Sequence, residues 1–143
     1  MQASFPFRAA LGLASLAVSA AALAQAPAVD YGKAEYVENC QGCHGLSGKG
    51  DGTYREYLTR QPSDLSVLAK NNGGVFPVQR VYEIIDGRKS VAGHGRSGEM
   101  PIWGSTYTIR AGNDPQIGRP QAEAYVRNNI NLLIEYLSRI QQK

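Results

Sequence analysis

The sequence predicts an all-α domain of about four to five helices. Two observations favour helices: apolar residues recur at helical spacing in several segments, and Gly, Pro, Asp or Ser stands where these segments begin and end. A third observation disfavours a sheet, because the sequence has no alternating apolar pattern of strand length.

The N-terminal residues 1–24 are predicted to be a cleaved signal peptide, which leaves residues 25–143 as one domain. Arg8 precedes an uncharged, Ala-rich run that closes with the small-x-small pattern Ala22-Leu23-Ala24. The run is short for a membrane span and poor in Leu, so an uncleaved anchor is the weaker alternative. We therefore expect a periplasmic protein without a stable membrane anchor.

The charge balance argues against nucleic acid as a partner. The chain has 15 basic and 12 acidic residues, a net charge of +3, and loss of Arg8 with the signal peptide brings it closer to neutral. Phe76 and Trp103 are the only Phe and Trp after the signal peptide. With so few bulky apolar side chains, the domain is expected to need something else to fill its core.

The first helix is predicted from about Asp30 to Asn39, with Asp30 as its N-cap. Tyr36 and Val37 are expected to face inward. The next segment, residues 45–52, has four glycines and ends the helical pattern. The signal is ambiguous for residues 54–60.

Two helices are predicted in the middle of the chain. Residues 63–74 predict a short helix that starts near Ser63 or Asp64 and stops at Gly73. A stronger helix begins at Pro77 and ends before Gly87. Its apolar residues recur at helical spacing: Val78, Val81, Tyr82 and Ile85.

The C-terminal part of the sequence predicts one long helix. Residues 105–119 have turn chemistry, so we expect at most a short extended piece there. The helix is predicted from about Pro120 to Gln141. One apolar stripe runs along it, formed by Val126, Ile130, Leu133 and Leu137.

The two cysteines of the chain, Cys40 and Cys43, are spaced Cys-x-x-Cys and are followed at once by His44. A thioredoxin-like redox site would need a preceding strand, which the sequence does not predict. A structural zinc site would need a fourth ligand, for which His94 is the remaining candidate of the usual type. The third interpretation is covalent haem attachment through Cys-x-x-Cys-His, and we favour it.

The geometry of a helical turn explains this preference. Residues three and four apart share one face, so Cys40 and Cys43 can each form a thioether to a porphyrin vinyl group while His44 reaches the iron. The chemistry uses both cysteines and needs no third. The sequence thus predicts one haem c (heme c) per chain, covalently bound.

A six-coordinate haem needs a second axial ligand, and Met100 is the leading candidate. Apart from Met1 it is the only methionine, and Pro101 restricts the backbone beside it. A thioether suits iron and raises its potential relative to two histidines. The competing ligand is His94, which lies between two glycines and would give bis-histidine iron.

The chain resembles the class I c-type cytochromes, which are small monohaem cytochromes c, over nearly all of residues 25–143. In the first helix, Gly32, Tyr36 and Cys40 match the spacing of the family, and Tyr136-Leu137 matches the pair that crosses this helix from the C-terminal one. The resemblance implies the cytochrome c fold, in which helices pack around the haem.

The resemblance also implies roles for individual residues. His44 would be the proximal ligand and Met100 the distal one. The family commonly has a proline whose carbonyl accepts the ring proton of the proximal histidine, and Pro62 is the only proline between His44 and Pro77. Trp103 has two open interpretations, a core ring or an indole donor to a haem propionate.

Two strong axial ligands leave no open position on the iron, so the sequence predicts a one-electron carrier rather than an enzyme. We expect protein partners, with a dehydrogenase or bc-type complex as donor and an oxidase or reductase as acceptor. One alternative is a dedicated cytochrome c subunit of a periplasmic oxidoreductase complex, with Ser105–Arg119 as a docking segment. A haem-based ligand sensor or enzyme, suggested by the Gly93–Gly98 loop, is disfavoured.

Overall fold

The computed structural model of the protein describes residues 28–89, 91 and 99–143. This part of the chain contains five α-helices and three short 3₁₀ turns and has no strand, which confirms the all-α class. None of the helices within these ranges combines the length and apolar character needed to cross a membrane. The predicted signal peptide, His94 and the Gly93–Gly98 loop lie outside the described residues.

Helix α1 spans Tyr31–Asn39 and is capped as predicted. The Oδ1 atom of Asp30 accepts a hydrogen bond from the backbone N–H of Lys33 at 2.9 Å, which satisfies one of the free N–H groups at the helix start. Tyr36 is fully buried, but the inward prediction for Val37 is wrong, since it is 42% exposed. The buried face follows the i, i+4 spacing of Gly32 and Tyr36.

Helix α2, Gln41–His44, follows α1 after one residue and holds the second half of the Cys-x-x-Cys-His motif. A 3₁₀ turn occupies Arg55–Tyr57, in the segment where the sequence signal was ambiguous. The short helix predicted for residues 63–74 is instead two 3₁₀ turns, Leu65–Val67 and Lys70–Asn72.

Asp64 and Gly73 bound these two turns. The Asp64 carboxylate accepts from the backbone N–H of Ser66 at 2.8 Å, which favours a local turn over a continuous helix. Gly73 has a left-handed backbone with φ +65° and stops the segment, as predicted.

Helix α3 spans Val78–Asp86 and ends at Gly87, whose φ is +92°. This end confirms the prediction, because a left-handed residue after a helix is most often Gly. Val81 and Ile85 are buried, whereas Val78 at the helix start is 53% exposed.

Helix α4, Trp103–Asn113, corrects the prediction that residues 105–119 hold turns and at most a short extended piece. Gly, Ser and Thr in its first turns have low helix propensity, but packing overrides this preference. Tyr107 and Ala111 are completely buried, and the Tyr107 hydroxyl donates to Glu35 Oε1 of α1 at 2.7 Å.

Helix α5, Gly118–Arg139, is the longest element and packs against α1, α3 and α4. It begins two residues before the predicted start and ends two before the predicted end. The predicted apolar stripe is buried along it, with Val126 at 9%, Ile130 at 0%, Leu133 at 1% and Leu137 at 4% exposure.

Helices α1 and α5 cross at a close approach. A Cβ atom on Gly32 would lie 2.4 Å from the Leu132 carbonyl oxygen, so only Gly fits there without movement. The rings of Tyr36 and Tyr136 meet at the crossing with centroids 5.0 Å apart. The crossing therefore uses the residues that the family resemblance identified.

Residues after α5 fasten the 3₁₀ segment to the helical core. Gln141 Nε2 donates to the Leu65 carbonyl at 2.7 Å, and its Oε1 accepts from Ala69 N–H at 2.9 Å. The backbone N–H of Gln142 donates to the Ser66 carbonyl at 2.7 Å. The last helix and the residues behind it thus support one wall of the site.

Candidate functional site

A cavity of about 430 Å³ lies between the α1–α2 corner, α3 and α5. This volume falls in the range of roughly 300–1,000 Å³ that is typical of cofactor and ligand pockets. A smaller cavity of about 70 Å³ adjoins the same wall. The residues that line both are Cys40, His44, Ser63, Met100 and Trp103.

His44 is held in one orientation on the cavity wall. It is 5% exposed, and its Nδ1 lies 3.1 Å from the Ser63 carbonyl oxygen. Because a carbonyl can only accept, Nδ1 must carry the proton, which leaves the Nε2 lone pair available to a metal. Burial lowers the pKa of the imidazole, and the bond to Ser63 opposes this only in part. A neutral imidazole in this tautomer is suited to bind iron.

The assignment of the histidine's partner to Pro62 is wrong. The accepting carbonyl belongs to Ser63, the next residue. The Pro62 carbonyl oxygen faces Gly50 instead, where an added Cβ would lie 2.2 Å from it. Pro62 still lines the smaller cavity, so it contributes to the wall beside His44.

Cys40 and Cys43 are both free thiols at the cavity. Burial raises the pKa of Cys40 to about 12, with Glu35 and Cys43 adding to the effect. The pKa of Cys43 is also raised, chiefly by burial. A thioredoxin-like motif follows a strand, whereas helix α1 directly precedes Cys40, so the fold disfavours that interpretation.

The glycine-rich segment after His44 wraps tightly over the motif. The Tyr36 hydroxyl donates to the Gly45 carbonyl at 2.7 Å, and Gly45 has a φ of +78°. A Cβ on Gly52 would lie 2.3 Å from the Gly42 carbonyl oxygen. These glycines permit the close packing that orients the motif, whereas the sequence indicated only that they end a helix.

Met100 and Trp103 lie on the same cavity, near the start of α4. Trp103 is 8% exposed and belongs to the core, with its ring centroid 5.8 Å from that of Tyr107. The Arg110 guanidinium lies 5.9 Å from the indole ring. The core interpretation of Trp103 is thus confirmed, and its role toward a propionate stays a prediction.

Glu99 is a site residue that the sequence reasoning missed. Its carboxylate accepts three hydrogen bonds from Thr59 and Arg60, which lie about forty positions earlier in the chain. The backbone and hydroxyl donors of Thr59 are the main cause of a lowered pKa at Glu99. Only its position beside Met100 could have drawn attention to it.

The described residues fit a covalently attached haem better than a zinc ion. They contain no group of three or more His, Cys, Asp or Glu side chains that could hold a metal ion, and His94 lies outside them. The two adjoining cavities together offer one imidazole, one thioether and two thiols, and the walls of the larger one are mostly apolar. This donor set matches what haem c requires.

A comparison with protein-family models gave a match over most of the chain. The family model described as Cytochrome c matches residues 29–140, which includes all five helices. Among curated proteins and solved structures, none matches the chain significantly.

Proposed function

The chain belongs to the cytochrome c family, and from this premise we propose that it is a periplasmic one-electron carrier with a single haem c. The family supports a haem-based electron carrier and implies that the haem is covalently bound. One observation carries the finer proposal: Cys40, Cys43, His44 and Met100 all border the cavities at the end of α1.

In this proposal each residue of the site has a separate task. Cys40 and Cys43 form the thioethers, His44 binds iron through Nε2, and Met100 binds it through its sulfur. The Ser63 carbonyl accepts a hydrogen bond from Nδ1–H and so makes His44 a stronger ligand. When bound, the haem supplies reversible one-electron transfer between Fe(III) and Fe(II).

The cavity walls support a carrier rather than a catalyst. The wall includes the apolar side chains Leu65, Val81, Ile85 and Leu133, which keep water away from most of a bound cofactor. With His44 and Met100 both engaged, no position stays open for a substrate. Ligands that stay in place also keep rearrangement small on electron transfer.

The proposed partners are redox proteins, namely a dehydrogenase or bc-type complex as donor and an oxidase or reductase as acceptor. Membership of a complex is the alternative function. The segment Ser105–Arg119 had suggested it as a docking loop, but most of this segment is helix α4, and Tyr107 and Ala111 point into the core. The segment is thus a packed helix over most of its length and not a loop.

The ligand assignment is tested by Met100→Ala in the haem-loaded protein. We expect the weak long-wavelength sulfur-to-iron band to disappear and the midpoint potential to fall, because a thioether stabilises Fe(II) relative to a replacement ligand such as hydroxide or histidine. Absorption spectra of both oxidation states and a redox titration measure this. Leu58→Ala, at the wall of the smaller cavity but without a donor atom, should keep the band.

An unchanged spectrum in Met100→Ala would contradict the His44/Met100 ligand pair. Size-exclusion chromatography of native extract addresses the alternative function separately. Elution as a small monomer supports a free carrier, whereas co-elution with a catalytic subunit would show that the chain belongs to a complex.

A further inference from the structure

The carboxylate of Glu99 joins two segments that are distant in sequence. Its Oε1 accepts from the backbone N–H of Thr59 at 2.6 Å and from the Thr59 hydroxyl at 2.8 Å. Its Oε2 accepts from the backbone N–H of Arg60 at 3.3 Å. Both oxygens are engaged by donors from one turn of chain, so the carboxylate is held in a defined orientation.

The two joined segments border the same part of the site. Leu58, Arg60 and Ser63 line the smaller cavity from one segment, and Glu99 and Met100 line it from the other. Glu99 itself is exposed at the surface. It therefore connects the segments at the outer side of the cavity.

On the C-terminal side, Met100 is anchored by the start of α4. Ile102 is the N-cap residue of that helix and packs against Gly87, where an added Cβ would lie 2.4 Å from the Ile102 side chain. On the N-terminal side of Met100, the carboxylate of Glu99 holds the backbone through its bonds to Thr59 and Arg60. The backbone of Met100 is thus held between two fixed points.

We propose that Glu99 is a positioning residue for Met100, and that its bonds to Thr59 and Arg60 keep the thioether directed at the iron. The inference rests on the proposed function, in which Met100 is an axial ligand. It adds that the stability of this ligation depends on a carboxylate that is not itself an axial ligand.

The experiment compares Glu99→Ala and Glu99→Gln with Glu56→Ala in the haem-loaded protein. Glu56 is an exposed carboxylate three residues before Thr59, and its side chain makes no hydrogen bond or ion pair within the described part of the chain, so it controls for loss of a nearby charge. The bonds themselves are monitored by hydrogen exchange of the Thr59 amide. The ligation is monitored by the rate at which added imidazole displaces Met100 sulfur from the oxidised iron.

For Glu99→Ala we expect faster exchange of the Thr59 amide and imidazole entry accelerated by about tenfold, since several hydrogen bonds to a charged acceptor are lost. Glu99→Gln should give an intermediate rate, because its amide oxygen still accepts from Thr59 but its NH₂ cannot accept from Arg60. Thr59→Val should also be intermediate, and adding it to Glu99→Ala should have no further effect. Far-UV circular dichroism should stay unchanged throughout.

Equal imidazole rates in Glu99→Ala and Glu56→Ala, with a normal sulfur-to-iron band in the wild type, would overturn the positioning role and leave the proposed function intact. A wild type that lacks this band would overturn both, since Met100 would then not be the ligand. The two failures are therefore distinguishable from the wild-type spectrum alone.

Discussion

Tyr36→Phe removes one oxygen atom from the buried centre of the domain and leaves the ring in place. The Tyr36 side chain is fully buried, and its hydroxyl donates to the Gly45 carbonyl at 2.7 Å. Burial raises the pKa of this hydroxyl, so it remains a protonated donor at all ordinary pH values. The bond ties α1 to the turn that follows His44.

The size of the effect follows from what the Gly45 carbonyl loses. Leaving a buried acceptor without a partner costs about 1–3 kcal/mol. The backbone N–H of Gly48 still donates to this carbonyl at 3.2 Å, so the Gly45 oxygen keeps one hydrogen-bond partner in the variant. We therefore expect Tyr36→Phe to lower the free energy of unfolding by about 1–2 kcal/mol, the lower part of that range.

Denaturant unfolding of the haem-loaded protein measures this loss, and the slope with denaturant should stay constant. In a thermal scan, a domain of roughly 110 residues should lose about 4 °C in Tm for each kcal/mol. Tyr57→Phe is the matched control, because Tyr57 is 78% exposed and should change stability by less than about 0.5 kcal/mol. Equal stabilities of the two variants would refute the reasoning about the buried bond.

Two further predictions concern the crossing of α1 and α5. Gly32→Ala places a Cβ 2.4 Å from the Leu132 carbonyl oxygen and should destabilise the fold by about 1–2 kcal/mol, even after the gain in helix propensity. Gly112→Ala is the control, because Gly112 has open space around it, and it should stabilise the fold by up to about 1 kcal/mol. Chemical denaturation measures both changes, and a change of the same sign in both variants would contradict the prediction. Asp30 accepts from Arg139 at 2.7 Å, which together with the helix N–H bond lowers its pKa below the usual 3.8. The ionised carboxylate therefore stabilises the fold above pH 3.8, and this stabilisation is lost as the pH falls through the pKa of the folded state. Asp30→Asn should be less stable than the wild type at neutral pH and equally stable in strong acid. Urea unfolding across this pH range measures the difference, and a difference that does not change with pH would contradict the prediction.

The sequence predicted those parts of the fold whose local signals and packing agree. Helix α3 has apolar residues at helical spacing and Gly87 behind it, and α5 has an apolar stripe over several turns. Helix α4 was missed because Gly104 and its Ser and Thr neighbours favour other conformations. Its signal was the spacing of Trp103, Tyr107 and Ala111, one residue every four, which places all three on one buried face.

The residues of the candidate site likewise include some that a local sequence pattern predicts and others that no such pattern marks. Cys40, Cys43 and His44 could be found because their chemistry needs a fixed spacing within one helical turn. Met100 could be proposed by elimination, since it is the only methionine of the sequence apart from Met1. Hydrogen bonds between distant segments leave no pattern in a single sequence.

The Ser63 carbonyl and the Glu99 carboxylate show this limit. Whether residue 62 or 63 directs its carbonyl at the imidazole depends on the path of one turn, which Gly50 fixes by its contact with Pro62. The partners of Glu99 lie about forty positions away. Side-chain positions of this kind become visible only when the chain is folded.

The bonds of Gln141 and Gln142 to the 3₁₀ segment have a consequence for biogenesis. A ribosome makes the chain from its N-terminus, so Cys40 and Cys43 are synthesised long before the two glutamines that fasten Leu65 and Ser66 in the opposite part of the domain. Without these bonds the 3₁₀ segment is held less firmly, so full closure of the domain around Cys40 and Cys43 requires residues 141 and 142.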